Sequence, residues 1–323
     1  MPASAAVSQP ATDQAADVSP RVAVFRSGVR WTLNIVALVV LGPLAAVPIS
    51  ALADRHGGGA VSLLVNTSLA SGLFALAAVG ALGVLGGALG SRLSGSQMGR
   101  TVAGLTVAWA ALWVGDMGDT LRAAGPTMGT VLSLIVESGL LLVVGVAMLY
   151  ATLTADRPRV KAAEADGKSG ASALSAVSPA DFLKRFTAPA ALLGIAIGVV
   201  AALFGAWLVA RDDMRGQAFF AGILGAILAG AAARLAGTLL PGGDPKTAHR
   251  PEVPAVGVLL AGVLAPLVLI VVPGLGNVDE AARAGTLTGP GALTPLDWLA
   301  GALLGTSIGI NWAGSLLERE NAK

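Results

Sequence analysis

A chain of 323 residues that is 54% hydrophobic and 12% charged, with a mean hydropathy of +0.76, is no ordinary soluble domain, since such domains carry about 25% charged residues. It contains no cysteine, which excludes disulfides, thiolate nucleophiles, iron–sulfur clusters and Cys-ligated zinc. The net charge of +2 says little, because the charges are segregated along the chain.

Residues 1–30 form the first unit, a disordered cytoplasmic tail. Up to about Pro20 they are rich in Ala, Ser, Asp, Gln and Pro and lack an apolar period, as expected of a segment that buries nothing. Arg21, Arg26 and Arg30 stand before the first long apolar run. That run is too long for the apolar core of a signal peptide and is expected to stay as an anchor.

A crossing of a hydrocarbon core about 30 Å thick takes roughly 20 helical residues. On that measure the sequence predicts an all-α polytopic membrane protein with about eight transmembrane helices. They lie at about 31–53, 61–90, 101–121 and 128–152, then 187–210, 217–239, 254–274 and 296–316. The long loop at 153–186 mixes both signs of charge, and Ser178-Pro179-Ala180-Asp181 is expected to open a short surface helix leading into Phe182, Leu183 and Phe186. Residues 317–323 are a C-terminal tail.

Alternate loops hold 16 of the 21 Lys and Arg residues, and the other side holds Arg55, Arg122, Arg211, Arg215 and Arg283. The positive-inside rule then puts both termini in the cytoplasm. Trp31, Trp207, Trp298 and Trp312 fall at predicted span ends, where indole rings favour the interface. Trp109 and Trp113 lie deeper and are expected to pack on a neighbouring helix. The Arg-, Ala- and Gly-rich composition suggests a GC-rich bacterium and its cytoplasmic (inner) membrane.

The two halves resemble one another. Gly118-Asp119-Thr120-Leu121-Arg122-Ala123-Ala124-Gly125-Pro126 is matched by Asp279-Glu280-Ala281-Ala282-Arg283-Ala284-Gly285 followed by Gly289-Pro290. Four spans per unit is an even number, so a duplication would give a parallel 4+4 repeat.

Glycine spacing predicts how the helices meet. Gly301, Gly305 and Gly309 recur every four residues, and Gly83 with Gly87, Gly86 with Gly90, and Gly194 with Gly198 do the same. Such faces let backbones approach closely where lipid supplies no hydrophobic driving force. Their partner is either another span of this chain or another subunit. Pro43, Pro48 and Pro266 fall inside spans and are expected to give static kinks.

Glu137 is the sharpest single residue, near the middle of the fourth span. A carboxylate there costs several kcal/mol, about 2.5–3.5 on insertion scales for Asp, so it must be protonated, paired or facing water. That suits a proton-carrying group, and the alternative is a hydrogen bond across a helix interface. Asp116, Asp119 and Arg122 share one helical face at the end of the third span. They are either the mouth of a pathway or a solvated helix end. Arg234 is either an interfacial anchor that snorkels or a partner of Glu137.

Three pattern matches fail on context. Gly305-Thr306-Ser307-Ile308-Gly309 fits the nucleophile elbow, but it lies in a predicted span without a strand or a His. Gly167-Lys168-Ser169 ends an incomplete phosphate loop. Gly115-Asp116 and Gly118-Asp119 lack the spacing of intramembrane aspartyl proteases. No catalytic, metal or cofactor constellation appears, and nothing points to a nucleic-acid partner. The expectation is a small-solute or ion transporter, proton-coupled through Glu137, rather than an enzyme. The alternative is a non-catalytic membrane subunit packing through its glycine faces, as a homo-oligomer or with other membrane subunits. A membrane enzyme acting on lipid is the third reading. The bilayer is the one partner common to all three.

Overall fold

The computed structural model describes residues 20–52, 62–65, 67–165, 178–212, 214–239, 244, 247, 249–271 and 275–321. It is all-helical among these residues, and six helices are long and apolar enough to cross a membrane. Of the expected tail at 1–30, residues 1–19 lie outside the described residues, as do His56 and the phosphate-loop-like Gly167-Lys168-Ser169, whereas residues 20–30 are helical.

The first crossing is composite. Helix α1 (Pro20–Val36) passes through a π-helical turn (Ala37–Leu41) into α2 (Gly42–Ser50). The turn has a covalent cause, since Pro43 has no N–H to return to the preceding turn. Gly42 lies against the ring of Trp109, where a side chain on residue 42 would have no room. Pro266, by contrast, sits inside an unbroken helix.

Helix α3 (Leu69–Ser94) stops at Gly95, whose φ of 96° favours glycine, and α4 (Ser96–Trp113) starts directly after it. A Cβ on Gly90 would lie 3.0 Å from the Cα of Gly99, so the two helices form a tight hairpin. The third predicted span is divided. α4 ends at Trp113, and a separate helix α5 (Met117–Ala124) follows Gly115, because Asp116 caps a new N-terminus through the Asp119 amide at 2.7 Å.

Helix α6 (Met128–Ala165) continues past the expected end of the fourth span. The short surface helix forms as α7 (Pro179–Lys184), capped by Ser178 through the Asp181 amide at 3.0 Å. It buries Phe182 between Tyr150 and Phe186. α8 (Pro189–Val209), α9 (Arg215–Leu239), α10 (Glu252–Val271), α11 (Leu275–Ala284) and α12 (Pro295–Asn321) complete the chain, with a 3-10 turn at Gly289–Ala292.

α12 lies at the centre of the bundle, packed on α9, α4, α10 and α6, while α4 joins it to α3 and α2. Their burial explains why hydropathy alone selects six helices and passes over these two. A helix covered by other helices keeps small and polar residues, such as Thr106, Thr306 and Ser307, away from lipid. The glycine faces are used within the chain. Gly301, Gly305 and Gly309 meet the backbone of α9 at Gly222, Ile223 and Ile227. Gly83 and Gly87 meet Met148 and Thr152 of α6, and Gly198 meets Pro254 of α10. On the outside, Val39, Phe74, Leu85, Val143, Val200 and Phe220 are exposed, an apolar girdle suited to lipid and unusual on a soluble monomer.

Trp31, Trp207 and Trp312 are exposed, as interfacial indoles should be, but Trp298 is 1% exposed and packs against Gly262. Trp109 packs within the bundle, while Trp113 is exposed.

Candidate functional site

Polar contacts sort the helix ends onto two faces. On one face Arg215 at the start of α9 reaches the Ala111 carbonyl at the end of α4 and Asp297 at the start of α12. The Gly289 amide donates to the Ala210 carbonyl there at 2.7 Å. On the opposite face the Ser96 amide donates to Asp156, and Arg185 pairs with Glu252. These are called below the Asp297 face and the Glu252 face.

Glu137 is 2% exposed and lies roughly 14 Å along α6 from Met128 at 1.5 Å per residue. That is about half of a hydrocarbon core. Its partner is a stretch of backbone that is not helical. The expected start of the second span, from residue 61, gives way to irregular, bent backbone at Ser62–Val65, and the helix begins only at Leu69. The cause is local. Ser68 accepts the Ser71 amide at 3.2 Å and fixes the N-terminus of α3 there. Thr67 returns its hydroxyl to the Leu63 carbonyl at 2.6 Å.

α3 and α6 run parallel, with Gly80 beside Val144, Gly83 beside Met148 and Gly87 beside Thr152. That register sets Glu137 beside the first turn of α3 and the irregular segment before it. The Ser62 hydroxyl donates to Glu137 Oε2, and the Leu64 amide donates to the same oxygen at 3.1 Å. Ser62 also accepts the Val65 amide at 3.2 Å. Ser62, Leu63 and Val65 are all buried. Irregular backbone at membrane depth is tolerated only where protein or a water-filled cavity satisfies it, and here a carboxylate does so. Gly72 makes the approach possible, because a Cβ there would lie 2.8 Å from the Leu63 carbonyl carbon.

Asp116, Asp119 and Arg122 do come together, on the Asp297 face. Asp116 caps α5, Arg122 bonds Asp119 and lies 4.0 Å from Asp116, and its other nitrogen reaches the Ala282 carbonyl on α11. α11 carries its own pair, Arg283 with Asp279 at 3.0 Å. The two segments matched in sequence are thus two short helices packed together, each followed by a glycine with positive φ, Gly125 and Gly285.

Arg234 is 8% exposed near the other end of α9, and its Nε and Nη1 have no hydrogen-bond partner. The charges that act on it and on the nearby His249 place it with Glu318 on the Glu252 face. Loss of hydration, with the Arg234 charge second, holds the His249 imidazole below its ordinary range, against an opposing effect of Glu318. Glu137, the Asp116 cluster and Arg234 therefore stand in three separate settings.

The sequence reading missed a buried ion pair. Arg215 grips both oxygens of Asp297, which is fully buried, and one of those oxygens also accepts the Thr294 amide and hydroxyl, each at 2.8 Å. Thr294-Pro295-Leu296-Asp297 is a legible Thr-x-x-Asp cap before an apolar run. The Arg215 contact has no local signal. Arg100 is buried likewise, its Nε donating to Ser307 at 3.1 Å. Ser307 of the elbow-like pattern is therefore occupied by an arginine. Comparison of the chain with known protein families, curated proteins and solved structures found no match.

Proposed function

We propose that the protein is a transporter of a small solute or ion in a bacterial cytoplasmic membrane, coupled to protons through Glu137. The observation that carries this reading is the buried carboxylate holding an interrupted backbone segment, Ser62–Val65, at mid-depth. Transporters commonly build their sites from discontinuous helices near the midplane. A carboxyl whose protonation changes its hold on Ser62 and Leu64 gives such a segment two states, one gripped and one released.

Eight crossings are assigned, namely α1 with α2, α3, α4, α6, α8, α9, α10 and α12. Alternation of helix ends between the two faces favours this count, with the Glu252 face cytoplasmic and both termini on it. A 4+4 duplication draws support from two pairings. Contacts between the first and third and between the second and fourth crossings recur as fifth with seventh and sixth with eighth. α5 and α11 form the matched pair outside. The glycine faces are taken up internally, which favours a self-contained bundle over a subunit that docks through them.

The test is flux in liposomes under an imposed pH gradient, with a lumenal pH dye and a panel of inorganic ions and small organic solutes. One solute should dissipate the gradient with the wild type and fail to do so with Glu137→Gln, which should remain folded with a loss of about 1 kcal/mol. Equal flux through both proteins removes Glu137 from the mechanism. A stoichiometric unrelated partner in native mass spectrometry of protein from its own host would replace the transporter with a complex subunit.

A further inference from the structure

A groove separates α1 from the α3–α4 hairpin, which α1 touches only lightly. Three adjoining voids make it up. An apolar section of about 460 Å³ runs along Phe25, Val29, Leu33 and Leu93. A section of about 60 Å³ beside it brings in Arg26, Arg30 and Ser94. A polar section of about 150 Å³ lies between Arg30, Ser94 and Gln97. The sections share Phe25, Val29, Arg30, Leu93 and Ser94, so they are continuous.

Arg26 and Arg30 are one turn apart on α1, both are exposed, and no carboxylate pairs with either among the described residues. On the hairpin's side, Asp156 accepts the Ser96 amide. The groove thus sets two arginines and polar donors alongside an apolar section that spans the same turns of α1, from Phe25 to Leu33. That is the chemistry of an amphiphile with an anionic head.

We propose that this groove binds one anionic phospholipid of the leaflet on the Glu252 face. Its phosphate sits between Arg26 and Arg30, Ser94 and Gln97 donate to the headgroup, and one acyl chain fills the section along Phe25, Val29, Leu33 and Leu93. A free phosphate would leave the apolar section empty, so both halves of the ligand are needed. Generic attraction to anionic lipid amounts to about 1 kcal/mol for each basic residue at the surface. A site differs from it by depending on these two arginines and on the chain.

The experiment is native mass spectrometry of the full chain in mild detergent, titrated with dioleoyl phosphatidylglycerol, dioleoyl phosphatidylcholine and the short-chain dihexanoyl phosphatidylglycerol. One dioleoyl phosphatidylglycerol should be retained saturably and in preference to the other two. Arg26→Gln with Arg30→Gln should weaken it about 30-fold, whereas Arg319→Gln, an exposed arginine on the same face, should not change it. Equal retention of the two headgroups overturns the proposal. So does an Arg319→Gln effect equal to that of one groove arginine, which would mean a diffuse field. Equal retention of the short-chain lipid would remove the acyl chain from the groove.

Discussion

Glu137→Ala separates a carboxylate that holds the fold from one that only occupies it. The substitution leaves the Ser62 hydroxyl and the Leu64 amide without their acceptor in a buried site. Each orphaned group costs about 1–3 kcal/mol, so the two together bound the loss at about 2–6 kcal/mol. Polar contacts between membrane helices fall short of such figures, averaging about 0.6 kcal/mol, because a chain unfolded within the membrane finds other partners. The lower end, about 2–3 kcal/mol, is the expected value. Glu137→Gln keeps a carbonyl able to accept both donors but puts an amide NH2 in place of the other carboxyl oxygen, so about 1 kcal/mol is expected. Equilibrium unfolding in mixed micelles, following the helical signal, ranks the three proteins. If Glu137→Ala lies within about 0.5 kcal/mol of the wild type, the usual range for a surface change, the carboxylate does not hold the segment and the argument fails.

Further outcomes follow from other parts of the bundle. Asp297→Asn leaves the Arg215 guanidinium facing a neutral group and should cost about 3–5 kcal/mol. Leucine at both positions removes the unpaired charge but orphans the Thr294 amide and hydroxyl, so it should recover only part of that loss, measured by the same unfolding assay. Gly305→Leu, placed against the α9 backbone, should destabilise by about 1–3 kcal/mol through overpacking, while Gly314→Ala, with open space around it inside α12, should cost nothing and stabilise by up to about 1 kcal/mol. The His249 imidazole lies below its ordinary value of 6.5 in the folded protein, so the folded state binds fewer protons than the unfolded one. Its contribution is therefore complete above pH 6.5 and declines as pH falls through the depressed value. Arg234→Gln should raise that value, read by NMR titration of His249 in a His56→Gln background.

Much of the architecture was legible from local chemistry. Runs of apolar residues marked the crossings, because a chain in hydrocarbon must satisfy its backbone within each helix. Ser178 marked α7 because a side-chain oxygen before an amide-rich helix start is a local device. Glu137 stood out because a carboxyl among leucines has to be explained by something beyond its neighbours. The start of α3 was obscured because Ser62–Val65 is as apolar as a helix, and only the Ser68 cap moves the boundary to Leu69.

The sequence by itself determined that this chain needs an apolar solvent, where it is helical, and which residues stand in unfavourable surroundings. Those are properties of composition and of spacing along the chain. The tertiary structure alone decided what those residues meet. It gave Glu137 an interrupted backbone 73 positions away, gave Asp297 the guanidinium of Arg215 82 positions away, and turned the glycine faces inward. Each depends on which helices become neighbours, and in a low-complexity Ala-, Gly- and Leu-rich chain many pairings suit the local pattern equally well. Close backbone contact and buried charge select among them, and both exist only once the bundle has closed.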